Sequence, residues 1–532
     1  VLIEKELMSP GINLVQHQNP EVPGLMFLRG SLNLVLGHLQ DRNNPQIPIR
    51  AETATVKEIH SVLYRERSDK AGLSDVRPSC EEMLDICRQI MDWSPRTAHP
   101  HFVSQIYSRA DLYGIGAEVI VAALNNNVHV FQLSPALTVI EKVTVEYLSD
   151  VFGFGAVGGA GYAEGAFVPG GSLGNLHALY VALHKFNPAL REDGLPVNGK
   201  QLVAFCGEGA HYSIEKAAMA LGIGRSNMRK VPTDTDGRMR VDLLEAAIIE
   251  SVAHGETPFC VCATAGTTVL CAFDQLVPIS EVVRRYGLWL HVDAAWGGAA
   301  AFSPRHEHLL NGLDQADSLT FSAHKMLGAP IQCVAFLVHA RHPGLLQRAM
   351  SLDAPYLYQN STGNRNAEPD LSRMTLQCGR RGDALKLWLM REALGDAGLS
   401  RRIDDCVAWA EGFRSEIQLR ESKGSGFILY KCSFSTVCFW YVPRAMLPVR
   451  VMDLEHGTAD WNVVDEIPDK VRNEMIESND CMLVSYGSTT GLPRFFRLGL
   501  SSAPGTQAQC SSSIEIILNH IENIAERVFA VR

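Results

Sequence analysis

The chain has 532 residues, of which 46% are apolar and 20% charged; this is the composition of a globular protein with two or three domains and a core able to exclude water from a deep site. Its formal charge of −10 speaks against a nucleic-acid surface, because such surfaces neutralise phosphates with clustered lysine and arginine. Thirteen cysteines without repeated C-x-x-C spacing read as reduced, mostly buried thiols of a cytoplasmic protein, and neither a membrane-spanning apolar stretch nor a secretory signal is present.

The first hundred residues carry little signal, with Asn43-Asn44-Pro45 and Ser94-Pro95-Arg96 punctuating helical pieces. Residues 136–152 repeat Leu137, Ile140, Val143, Tyr147, Leu148 and Val151 at helical spacing and run into glycines, which predicts a helix. From residue 201 the rhythm changes. Short apolar runs at 202–206, 258–263, 288–292, 318–321 and 333–338 alternate with helix-like stretches at 213–221, 243–252 and 276–286. Such alternation predicts an α/β fold with a largely parallel sheet covered on both faces. Ligands in these sheets sit beyond the carboxyl ends of the strands, so chemistry is expected at His211, Thr264, Asp293 and Lys325. After Trp388 come a long helix, strands at 436–442, 482–486 and 495–500, and an amphipathic helix at 512–529. The expected organisation is a helical N-terminal segment (1–105), a large α/β domain (106–390) and a small α+β domain (391–532).

Four segments form one chemical set. Gly170-Gly171-Ser172-Leu173-Gly174-Asn175 opens a helix running to about Phe186, and the exposed N–H groups of a helix start favour a phosphate. Taken alone, a glycine-rich turn before a helix is common. Asp293 ends an apolar strand in His291-Val292-Asp293-Ala294-Ala295-Trp296-Gly297; it either caps the next segment or keeps a pyridine nitrogen protonated, making a ring an electron sink. Lys325, in Ser322-Ala323-His324-Lys325-Met326, comes about one strand–helix–strand unit later. A single lysine is most often a solvated surface group, but a partly buried one with a depressed pKa forms imines with aldehydes. His211 is placed to stack on such a ring or to serve as an ordinary structural histidine.

Two other motifs compete. Gly153-Phe154-Gly155-Ala156-Val157-Gly158 is a literal G-x-G-x-x-G, the signature of a nicotinamide dehydrogenase, but a helix-like stretch rather than a strand precedes it. His99-Pro100-His101 and His306-Glu307-His308 lack a third ligand at convincing spacing, so no metal is expected.

Ala263-Thr264-Ala265-Gly266-Thr267-Thr268-Val269, the His-Val-Asp-Ala-Ala-Trp-Gly-Gly run from His291 and His324-Lys325-Met326 resemble the group II pyridoxal-phosphate decarboxylases. Within that family the resemblance is to the glutamate, aspartate and cysteine-sulfinate decarboxylases. It is supported by His211-Tyr212-Ser213-Ile214, Gln377-Cys378-Gly379-Arg380 and Phe495-Phe496-Arg497, and it runs from about His99 to the C-terminus. The resemblance implies fold type I, with a homodimer as its assembly. It implies that Lys325 carries pyridoxal 5'-phosphate as a Schiff base, that Asp293 pairs with the pyridine nitrogen and that His211 stacks on the ring. Ser172, Leu173, Gly174 and Asn175 would hold the phosphate, Thr264 and Ala295 would line the ring, and His324 would adjoin it. Gln105 matches a substrate-contacting position. Arg497 matches the arginine that grips the distal carboxylate of an acidic substrate, a task suited to a planar, bidentate guanidinium. The reaction so implied is loss of the α-carboxylate from a small acidic amino acid, aspartate first, with glutamate and cysteine sulfinate behind it. A transaminase or lyase of the same fold is the alternative.

Two departures from the family pattern stand out. Family members often carry a loop tyrosine that returns the proton, and here residues 369–371 contain none, with Tyr356 and Tyr358 upstream. The usual Asn-Pro before His-Lys is replaced by Ser322-Ala323.

Overall fold

The computed structural model describes residues 21–49, 55–63, 78–107, 109–156, 161–195, 199–358, 370–478 and 482–530. Contacts divide the chain into two units, Val1–Phe102 with Asn473–Leu483, and Val103–Arg472 with Val484–Arg532. The first holds helices α1 (Glu21–Gln40), α2 (Val56–Leu63) and α3 (Cys80–Trp93). A capping box starts α3, in which the Ser79 hydroxyl and the Glu82 carboxylate satisfy each other's backbone N–H groups. Gly30 of α1 lies against Leu84 of α3 where a Cβ would meet the leucine methyl at 2.4 Å, so the two helices pack at close range.

The second unit is built on a seven-stranded sheet in the order β1-β7-β6-β5-β4-β2-β3. Its strands are β1 (Glu164–Val168), β2 (Leu202–Gly207), β3 (Met228–Val231), β4 (Thr257–Thr264), β5 (Trp289–Asp293), β6 (Ser318–Ser322) and β7 (Val334–Val338). Only β7 runs against its neighbours, pairing antiparallel with both β1 and β6. Helices α4 (Leu112–Leu124), α5 (Pro135–Val151), α6 (Gly171–Phe186), α7 (Ser213–Ala220), α8 (Val241–Ala253) and α9 (Leu276–Arg285) belong to the same unit. Both faces of the sheet are apolar. Val203, Phe205, Val261, Leu290, Val292 and Phe321 enter one core cluster, while Leu202, Ala204, Cys206, Cys260, Trp289 and Phe336 enter another. This is the period-two alternation of strands covered on both sides.

The five apolar runs of the sequence are β2 and β4 to β7. The strands β1 and β3, at the two edges, had no such signal. The kinked helix α10 (Ala384–Ser422) changes direction at Gly395; it packs against α4 and α5 and also against β8 (Phe427–Ser433). That strand begins a second, antiparallel sheet ordered β10-β11-β9-β8, with β9 (Thr436–Tyr441), β10 (Ser485–Gly487) and β11 (Phe495–Gly499). The last helix, α11 (Gln507–Ala530), buries Ile514, Ile517, Leu518, Ile521 and Ile524, the stripe expected from its spacing.

A buried ion pair ties α5 to the segment before α10. Arg380 donates to the Glu141 carboxylate, and to the carbonyls of Val128 (2.8 Å) and Phe167 (3.0 Å). Burial pushes the Glu141 pKa up, and the Arg380 charge opposes that push. Leaving one member of such a pair alone costs about 3–5 kcal/mol, so Arg380 is a tie between elements rather than a substrate group.

The described cysteines are free thiols. Cys206, Cys260, Cys262, Cys271, Cys333, Cys406 and Cys438 are buried, and burial pushes Cys206, Cys271, Cys333 and Cys406 up to about 12. Among the described residues no helix is long and apolar enough to cross a membrane.

Candidate active site

Register sets the carboxyl ends of two strands beside the middle of a third. Thr264 of β4 lies opposite Asp293 of β5, and Asp293 opposite Thr320 of β6. Asp293 is buried; one carboxylate oxygen accepts the Ala295 N–H at 3.1 Å and the other accepts the Asn175 side-chain N–H at 2.9 Å. Thr264 is buried too, and its N–H donates to the Asp274 carboxylate at 2.7 Å. Lys325 lies three residues past β6, its N–H donating to the Ser322 carbonyl at 3.2 Å. Burial lowers the Lys325 pKa, against the pull of Asp293 and Cys271. A lowered pKa leaves more of the amine unprotonated and nucleophilic.

The glycine-rich turn forms a cradle beside this edge. Gly170 takes φ +101°, a conformation open to glycine, and α6 starts at Gly171 with no side chain capping its first turn. Ser172 is exposed, Leu173 packs against the core on one face of the sheet, and Gly174 is buried. A Cβ on Gly174 would stand 2.6 Å from the Thr320 methyl, so glycine is what lets the helix start approach β6. A Cβ on Gly171 would lie 3.6 Å from both the Ala295 methyl and the Ser322 hydroxyl. The Ser322 hydroxyl is buried without a protein partner. Uncapped N–H groups of a helix start and an unpaired hydroxyl make a site for an anion.

His211, four residues past β2, is half-buried, and its Nδ1 lies 2.7 Å from the Ser213 hydroxyl. Burial lowers its pKa, against Asp293. A cavity of about 1170 Å³ opens beside it, lined also by Thr267, Thr268, Tyr430 and Trp440. His324 belongs to the same turn as Lys325, but its Nδ1 faces the backbone of Cys333. Gln105 has an exposed side chain, and its backbone lies against Gly499. Arg497, on β11, is 6% exposed and donates to the carbonyls of Thr268 (2.8 Å) and Ser104 (2.9 Å). Its Nε is buried without a partner, and no carboxylate among the described residues pairs with it. Burial lowers its pKa as well.

Residues 64–442 match the family model of the pyridoxal-dependent decarboxylase conserved domain. The chain belongs to the pyridoxal-dependent decarboxylase family. This decarboxylase is 36% identical over 426 residues to acidic amino acid decarboxylase GADL1 of Mus musculus, an overlap of 80% of this chain and 74% of that one. The Homo sapiens protein of the same name is 36% identical over 417 residues, 78% of this chain and 76% of that one. Among solved structures, mouse CSAD superposes with a TM-score of 0.85 at 31% identity, covering 96% of this chain and 100% of that chain. The fold is shared with Oryza sativa TDC solved with PLP and tryptamine, at TM-score 0.80, 22% identity and coverage of 96% and 99%.

As a pyridoxal-dependent decarboxylase it is a fold-type-I, pyridoxal-phosphate-dependent carboxy-lyase, and the residues present fit that cofactor. The unpartnered Ser322 hydroxyl and the uncapped start of α6 suit its phosphate, and a buried lysine with a lowered pKa lies within electrostatic reach of the buried Asp293. The nicotinamide motif fails on its context, since α5 rather than a strand leads into Gly153; Gly158 lies outside the described residues. No group of three potential metal ligands occurs among the described residues. Of the loop positions, residue 369 is outside the described residues, while Asp370 accepts the Phe131 N–H at 3.0 Å and Leu371 is buried. Tyr356 is 81% exposed, and the Tyr358 hydroxyl lies 2.9 Å from that of Ser372. Ser213, His291 and Ser322 belong to this neighbourhood without having been expected in it. Each stands within three residues of one that was, and that proximity is the only signal the sequence holds for them.

Proposed function

We propose that the chain removes the α-carboxylate of a small acidic amino acid, with L-aspartate to β-alanine the first candidate and glutamate and cysteine sulfinate next. The observation that carries this is Arg497, a buried guanidinium whose partners among the described residues are neutral: carbonyls of the loop after β4 and of the segment leading to Gln105, and the Ser485 hydroxyl at 3.4 Å. A buried cation without a counter-charge is costly, and a distal carboxylate or sulfinate entering beside it supplies the missing anion. The relatives named acidic amino acid decarboxylase support the same substrate class.

Lys325 would hold pyridoxal phosphate through its ε-amino group, and the start of α6 with Ser322 would hold its phosphate. Asp293 would keep the ring nitrogen charged, and Thr264, Ala295 and His211 would line the ring. Bound there, the cofactor supplies the electron sink that accepts the pair left by departing CO₂. Gln105 and Arg497 orient the substrate so that its α-carboxylate, not its distal one, is the group that leaves.

Arg497→Met tests the reading. The variant should lose about 100-fold or more in kcat/KM for aspartate, the scale of a charged pair broken from one side, while keeping its cofactor absorbance. An unchanged kcat/KM across a panel of acidic amino acids assayed for CO₂ would remove Arg497 from the site. Aspartate and glutamate differ by one methylene, worth about 1–3 kcal/mol in a pocket, so both belong in the panel.

A homodimer is the second part of the proposal. Helix α4 presents Leu112, Tyr113, Ile120 and Leu124 to solvent at 46–52% exposure, and Leu133 beyond it is exposed at 62%. A contiguous apolar face of this kind marks an interface. Light scattering should give the mass of two chains; a monomer at micromolar concentration would refute it.

A further inference from the structure

Beneath the site runs a chain of hydrogen bonds in which every proton can be assigned. The Asn175 side-chain nitrogen donates to Asp293 at 2.9 Å and to the Ser213 hydroxyl at 2.8 Å. A carboxylate only accepts, so the atom facing Asp293 is the NH₂ group, and both its hydrogens are committed. The Asn175 carbonyl oxygen, an acceptor, faces His291 Nε2 at 3.1 Å. His291 is fully buried, and burial lowers its pKa to about 4, so its single proton is on Nε2. Its Nδ1 then accepts from the Ser318 hydroxyl at 3.0 Å, which in turn accepts the Trp289 indole N–H at 2.9 Å.

At the other end, the Ser213 hydroxyl accepts from Asn175 and lies 2.7 Å from His211 Nδ1; an oxygen with two lone pairs could accept there too, so the backbone decides the direction of that contact. The Ser213 backbone N–H points at the same nitrogen at 3.3 Å. Two donors converge on Nδ1, and it carries no proton.

We infer that Asn175 and Ser213 are positioning residues that lock His211 as the neutral tautomer with its proton on Nε2, and couple that choice to Asp293. Asn175 therefore does more than extend the phosphate turn. It is the joint between the aspartate and the histidine, and it fixes which ring nitrogen His211 offers as a donor. Protonating His211 would set an Nδ1–H against the Ser213 N–H, so the network opposes the imidazolium form. The charged groups around the ring are Asp293, Lys325 and Lys216. The inference rests on the proposed function for the place of His211, and on nothing about the substrate.

Long-range ¹H–¹⁵N spectra of ¹⁵N-histidine-labelled holoenzyme, without substrate, read the tautomer directly; the His211 signals are those missing from His211→Gln. The wild type should show the Nε2–H form, and Asn175→Ala and Ser213→Ala should show mixed tautomers. In both variants kcat should fall roughly 10–100-fold, the usual scale for groups that orient a functional histidine, with KM changing less. Ser213→Thr, which keeps the hydroxyl, should restore both. Asn175→Ala removes a bond from three buried partners; if it fails to fold, Ser213→Ala carries the test alone. An Nδ1–H signal in the wild type, or an unmixed Nε2–H signal in Ser213→Ala, overturns the inference. Because no substrate is present, an enzyme that proved to act on a different amino acid would leave this result intact.

Discussion

Lys325→Ala should yield a folded protein without the yellow colour of a lysine-bound cofactor and with turnover lower by roughly four orders of magnitude or more, the scale on which loss of a covalent nucleophile is felt. The physical ground is the lowered pKa of this amine, caused first by burial and opposed by Asp293 and Cys271. An amine whose pKa is lowered attacks an aldehyde more readily than an exposed lysine near 10.4. Absorbance after gel filtration, together with borohydride treatment, makes the check. Wild-type protein should retain a reduced, covalently attached adduct and the variant should retain none. Colour and turnover surviving in Lys325→Ala would end the assignment of this residue.

The second large effect belongs to Asp293→Asn. The aspartate receives N–H groups from Asn175 and Ala295, one on each oxygen. An amide in its place must turn its NH₂ toward one of those donors and can no longer hold a positive ring nitrogen beside it. Cofactor should still bind through Lys325 and the start of α6, but kcat should fall about 10²–10³-fold, the range found when one preorganised electrostatic contact is removed from a reacting centre. A kcat within threefold of wild type would show that the ring nitrogen has no need of this carboxylate.

Much of this site was legible in the amino-acid order for a geometric reason. Strands β2, β4, β5 and β6 are buried runs of five to eight residues, long enough to announce themselves, and a parallel sheet gathers their carboxyl ends along one edge. His211, Thr264, Asp293 and Lys325 stand at those ends or just past them. Contacts made across the sheet escaped notice. Asn175, Ser213 and His291 meet over separations of 38 and 116 residues, and no local pattern encodes that. Edge strands escaped for a different reason. In β3, Met-Arg-Lys-Val, the two middle side chains are only partly covered, so its charges hide its strand character. β1 begins with Glu164 and Gly165, which reads as a turn. At Arg380 the family motif was visible but not its use, since the partner Glu141 lies 239 residues away.

The distribution of sulfur has a practical side. Among the described cysteines, Cys378 alone is exposed, while the core thiols have been driven far from ionisation. A maleimide dye offered near neutral pH meets Cys378 first, two residues from an arginine clamped to Glu141. Cys378 is thus a ready attachment point for a fluorophore beside the Arg380–Glu141 pair.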